Sequence, residues 1–152
     1  MSNMIAEADI AARLKEVFQT PFLDTTVDED GDIYVSNGLG FPIWVRLEPN
    51  NTFVKFFTYM KFDDVEKSAE VLSAVNDLNH NLVVVRFSLN PDQEAVVVDT
   101  DYFLNYKGGL LQANLVNAAK RFAATSEFGF QKLADALREM AGSDSSSEED
   151  GA

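Results

Sequence analysis

The chain has no cysteine, a single histidine and a single tryptophan in 152 residues. The missing cysteines exclude disulfides, thiolate zinc sites and cysteine nucleophiles together. With only His80 available, multi-histidine metal sites are impossible and a Ser-His-Asp triad would have to use that one residue. It lies in Leu78-Asn79-His80-Asn81, where a cation complements the last turn of a helix. Positive charge is scarce too: 12 Lys and Arg stand against 25 Asp and Glu, a formal net charge of −13. Such a field repels phosphate backbones and anionic lipids, so neither nucleic acid nor a membrane is an expected partner. Apolar runs are short, Leu82 to Val85 being strand-sized, well below the roughly 18 residues of a membrane span. The opening MSNMIAEADIAARLKEVF carries Glu7 and Asp9 within its apolar stretch, where a secretory signal needs a basic start and an uninterrupted apolar run. The expected location is the cytoplasm.

What remains is the composition of an ordinary globule, 46% hydrophobic and 24% charged. The length argues for one domain, and a chain of roughly 150 residues buries about 68–70% of its unfolded surface, enough for a core without staples. That domain is expected over residues 1–141. From Gly142 onward, GSDSSSEEDGA has no large apolar residue and holds Asp144, Glu148, Glu149 and Asp150. It cannot offset its own ordering entropy, so residues 142–152 are expected to be a disordered acidic tail.

The hydrophobic period changes along the chain. Met4, Ala8, Ala11, Leu14 and Phe18 fall at helical steps and predict an amphipathic first helix that stops before Pro21. From Phe22 to Phe62 the period is two. Turn clusters at Asp28 to Asp32, Asn37 to Gly40 and Glu48 to Asn51 divide this segment into about four antiparallel strands. Alternation puts Ile33, Val35, Ile43, Val45 and Leu47 on the core side, with Val54, Phe56, Met60 and Phe62. Helical spacing returns over 64–80, with Val65, Ala69, Leu72, Val75 and Leu78 on one side. Two further strands, LVVVRFSL and EAVVVDTDYFL, flank the turn Asn90-Pro91-Asp92-Gln93. After Gly108-Gly109 a long helix is expected, unbroken or divided at Gly129. The fold class is therefore α+β: an antiparallel sheet of about five to six strands carrying an N-terminal helix, a middle helix and a long C-terminal helix.

Most candidate chemistries fail on spacing. Counted from Asp28, a calcium loop needs glycine at its sixth position and glutamate at its twelfth, but these are Ile33 and Leu39. Gly38 and Gly40 begin a dinucleotide fingerprint whose third glycine position holds Ile43, and a strand follows instead of a helix. Gly108-Gly109 precedes a helix with Lys107 as the sole nearby cation, which reads as a strand-to-helix corner more readily than as an anion site. Paired carboxylates carry no signal in so acidic a chain. No catalytic residue, metal ligand or cofactor site is assigned, and the chain is expected to be no enzyme and to hold no cofactor.

One pattern survives. The sheet parity that alternation leaves for solvent carries Tyr34, Trp44, Arg46, Phe53, Lys55, Phe57, Tyr59, Val84 and Arg86. Trp, Tyr and Arg are enriched at interface hot spots, and an apolar exposed face marks a contact surface. Either a helix or the chain's own tail covers it, or it meets another protein or a second copy. Tyr34, Trp44, Arg46, Phe53, Phe57, Tyr59 and Arg86 are the candidate partner or dimer surface.

The order of elements resembles that of the YbjN-like family of bacterial proteins, whose fold is shared with type III secretion chaperones. Val75-Asn76-Asp77-Leu78-Asn79 is similar to the family's LNxLN helix end, with a strand directly after it. Tyr106-Lys107-Gly108-Gly109-Leu110 looks like its strand-to-helix corner, and Gly31-Asp32-Ile33-Tyr34-Val35 like its early hairpin. The resemblance spans about residues 4 to 140. It implies a small, acidic, cytoplasmic, usually dimeric protein that holds partly unfolded segments of partners across apolar grooves, or a regulator. No site residue carries over from it, and neither the aromatic density of Phe53 to Phe62 nor the acidic tail belongs to it. The expected function is a non-enzymatic protein-binding module, a chaperone-like adaptor or regulator that binds another protein or forms a homodimer. The rival expectation is a small-molecule or nucleotide sensor with a pocket between the sheet and the long helix.

Overall fold

A computed structural model describes residues 3–142 in full and, for residues 143–150, only the course of the last helix. The disordered tail expected over 142–152 lies, apart from Gly142, outside the fully described residues. The elements in chain order are β1 (Met4–Ile5), α1 (Ile10–Phe18), β2 (Asp24–Val27), β3 (Ile33–Asn37), β4 (Ile43–Glu48), β5 (Phe53–Phe62), α2 (Ala69–Asn81), β6 (Arg86–Leu89), β7 (Val96–Asn105), β8 (Leu110–Leu111) and α3 (Gln112–Asp150). Six strands form one antiparallel sheet in the order β2-β3-β4-β5-β7-β6. The α+β architecture read from the sequence is the one observed.

Strand parity decides which side chains enter the core. Ile33, Val35, Ile43, Val45, Val54, Phe56, Phe87, Val96 and Val98 are buried on one face, and α1, α2 and α3 supply the other wall. Phe56 stacks on Tyr102 within the sheet and meets Phe122 of α3 at 6.1 Å. The hydroxyls of Thr100 and Ser126, both buried, share a hydrogen bond of 3.0 Å that ties β7 to α3. Two polar groups that would be costly to bury alone satisfy one another.

The motifs noted in the sequence have local physical causes. The Asn79 amide, at the end of α2, donates to the Phe87 carbonyl and accepts from the Phe87 N–H, at 2.7 and 2.8 Å. It pairs with the open side of β6 as another strand would, closing an edge that would otherwise recruit one. Gly109 adopts φ 99°, and a Cβ there would strike the Ile5 carbonyl across the β1–β8 pair. Asp28 accepts from the amides of Asp30 and Asp32, which holds the β2–β3 turn.

Three expectations are corrected. The first helix begins at Ile10, not Met4: Met4–Ile5 pairs with Leu110–Leu111, and a 3-10 turn over Glu7–Asp9 follows. Its buried stripe is Ile10, Leu14, Val17 and Phe18, while Ala8 and Ala11 face solvent. The second helix starts only at Ala69 because Ser68 caps it, its hydroxyl accepting from the Val71 N–H. Val71, Val75 and Leu78 are buried and Leu72 is exposed. The strand expected from Leu82 begins at Arg86, after Val84 takes φ 81°, an outlying value for a β-branched residue. Of the two alternatives for the last helix the unbroken one is observed: α3 runs through Gly129, where a Cβ would collide with the Phe87 ring.

Candidate functional site

With all three helices drawn onto one face, the other face of the sheet carries no helix among the described residues. Its rows follow from the register. Tyr34 pairs with Trp44, Trp44 with Phe57, Arg46 with Lys55, Phe57 with Asp101, Lys55 with Phe103 and Tyr59 with Asp99. Tyr34 stacks on Trp44 at 4.6 Å, and Trp44 stacks in turn near Tyr59 at 5.5 Å and Phe57 at 6.0 Å. The Arg46 guanidinium lies 4.7 Å from the centre of the Phe57 ring. The Lys55 ammonium bridges two rings, Phe57 at 5.1 Å and Phe103 at 5.6 Å, and Phe103 meets Phe53 edge to face. Offset stacks and cation–π contacts each add about 0.5–1.5 kcal/mol beyond area burial, so the face is ordered before anything binds.

Two buried carboxylates hold the two arginines. Asp32, 4% exposed, takes a bidentate pair from Arg46 at 2.9 and 2.7 Å. Asp101 takes the same fork from Arg86 at 2.9 and 2.6 Å. The Asp32 hydrogen bonds raise the Arg46 guanidinium above its ordinary range against the opposing effect of burial, and the Asp101 hydrogen bonds do the same for Arg86. Both stay charged. Asp99 differs: burial holds its carboxyl above the usual range, against the lowering effect of the Asn90 amide that donates to it at 2.9 Å. Tyr59 beside it is 53% exposed.

The structure brings Tyr34, Trp44, Arg46, Phe57 and Tyr59 into one contiguous array. It joins Phe53 to that array through Phe103 and Lys55, and Arg86 through Asp101. Val84 does not belong there: with its positive φ it lies before β6, at a crevice with Val85, Tyr102 and Phe122. Sequence reasoning missed Phe103, Asp99, Asp101 and Asp32. Val96, Val97 and Val98 are apolar on both parities and hide the phase of β7, whereas the pairing of β5 with β7 reveals it.

A second concavity lies where β5 ends against α3. Phe41, Met60, Phe62, Val65, Phe130 and Leu137 line an open groove of about 560 Å³. This is the pocket expected between the sheet and the long helix. Asp28, Asp30 and Asp32 bring carboxylate oxygens within 4.8 Å of one another, but Asp32 is already neutralised by Arg46.

Over residues 6–138 the chain matches TY-Chap1, the family of type III secretion (YopN, CesT) and YbjN peptide-binding chaperones. The chain belongs to this family. The TY-Chap1 match and the helix-sheet-helix order agree with a solved relative, the crystal structure of YbjN from E. coli, to which a role as transcription regulator is ascribed. The TM-score is 0.62 at 10% identity, with 85% of this chain and 93% of YbjN covered. At that identity the likeness concerns the fold alone. No curated protein sequence matches this TY-Chap1 chain. No helix among the described residues is long and apolar enough to cross a membrane.

Proposed function

We propose that this chain is a non-enzymatic, cytoplasmic, peptide-binding adaptor, a chaperone or regulator of the protein it holds, and that the aromatic face of its sheet is where the partner segment lies. The observation that carries the reading is a preordered row of stacked rings and clamped cations on the one sheet face that no helix covers among the described residues. Aromatic and arginine side chains held in fixed rotamers bind apolar segments with little further loss of entropy. The peptide-binding description of the TY-Chap1 family supports the same reading. A second copy of the chain is the other occupant this face suits, giving a homodimer.

Trp44 makes the test direct, since it is the only tryptophan and stands in the middle of the array. Titration with unstructured peptides rich in apolar residues should shift Trp44 emission saturably, and polar peptides should not. Phe57→Ser should remove that binding while leaving the circular dichroism spectrum intact. Equal binding by the Phe57→Ser variant contradicts the assignment. Sedimentation at rising concentration separates peptide capture from self-association.

A further inference from the structure

We infer that the groove beside α3 is a second docking site, independent of the aromatic face, for a basic amphipathic helix of a partner protein. Two concavities, of about 560 and about 980 Å³, share Asp64, Val65, Leu137 and Ala141 and so adjoin one another beside α3. The lining on α3 extends from Glu127 to Ala141, a length of about 21 Å at 1.5 Å per residue, or about four helical turns. Its floor is apolar and incompletely covered. Phe41, Met60, Phe62, Val65, Ala74 and Met140 are all half-buried side chains packed against the core with one side left open. Methionine and phenylalanine floors adapt to the side chains of an inserted helix, which presents anchors at every third or fourth residue.

The rim sets the partner's charge. Between β5 and α2 it carries Asp63, Asp64 and Glu66, and α2 adds Glu70 and Asp77. From α3 come Glu127 and Glu139, so seven carboxylates face two cations, Lys61 and Arg138. Each of those cations already has a carboxylate of its own, Asp63 at 3.7 Å and Asp135 at 3.5 Å. Lys67 does not line the groove; its ammonium donates to the Asn90 carbonyl. An apolar groove with an acidic rim is complementary to a helix that is apolar on one face and rich in Lys or Arg on its flanks, and it repels an acidic one.

The probe is a dye-labelled helical peptide of about four turns, leucines on one face and lysines on both flanks, compared with the same peptide carrying glutamates instead of lysines. Fluorescence anisotropy with the full chain should show the lysine peptide binding at least about tenfold more tightly, an advantage that shrinks as salt is raised. Ala134→Arg, which places a charged side chain on the half-buried floor, should abolish binding, and the exposed-rim variant Glu70→Lys, Glu139→Lys should weaken it without touching the core. Trp44→Ser should leave it unchanged, which separates this site from the aromatic face. Equal affinity for the two peptides, full binding by both groove variants, or loss of binding on Trp44→Ser would overturn the inference. So would a small apolar compound raising the melting temperature of the parent but not of Ala134→Arg, with no peptide bound.

Discussion

The two faces of the six-stranded sheet are made by the same strands and differ by a one-residue step. Phe56 is buried beneath α3, whereas Phe57, the next residue, is half-exposed and stacked between Trp44, Arg46 and Lys55. The core face is closed by aliphatic and aromatic side chains from three helices. The outer face is covered by no helix among the described residues, and its rings and arginines are held by stacking, cation–π contacts and bidentate ion pairs. Burial on one side provides stability, while the ordered rings on the other are what the proposed docking of a partner would use.

The neighbouring phenylalanines separate these roles most sharply. Phe56→Ala should lower stability by about 3–5 kcal/mol in chemical denaturation, as a large core cavity does. Phe57→Ala should cost only about 1–2 kcal/mol but remove the Trp44 response to peptide. Similar losses of stability for the two, or retained binding by the second, would erase the distinction. A smaller effect than at Phe56 is expected where α3 passes Phe87: Gly129→Ala should cost about 1–3 kcal/mol, because the new methyl meets the buried Phe87 ring. A variant as stable as the parent would show that α3 can slide away from β6.

On the outer face the predicted effects shrink further. Asp101→Asn removes the charge that holds Arg86, whose side chain is largely exposed, so the loss should be at most about 1 kcal/mol. The smallest effect has the opposite sign. Burial raises the Asp99 carboxyl, so the folded chain retains a proton that the unfolded chain has released, and stability falls as pH rises through that window. Asp99→Asn should therefore raise the melting temperature at neutral pH, the gain disappearing in acid where both states are protonated. A gain that persists in acid would show that the carboxyl was never the cause.

The architecture was legible because two periodicities dominate the chain. Period two over 22–62 placed Ile33, Val45, Val54 and Phe56 correctly, and the array of Tyr34, Trp44, Phe57 and Tyr59 followed from the opposite parity. Places where long-range contacts override local pattern were not legible. Met4 left the helical stripe because β8 offers it a strand partner, and whether Gly129 divides the last helix stays open until Phe87 is seen against it. The counter-ions Asp32 and Asp101 come from a hairpin turn and from the phase of β7, which only the register supplies. The acidic groove arises from the late start of α2 at Ser68, which leaves residues 63–66 as a wall instead of a helical turn.

Collisional quenching of Trp44 by acrylamide, with and without a saturating apolar peptide, tests the central claim most directly. A peptide lying on the aromatic face should shield the indole and lower the quenching constant, and Phe57→Ser should remove that protection. An unchanged constant in a complex shown by anisotropy to be saturated would place the peptide elsewhere and contradict the account.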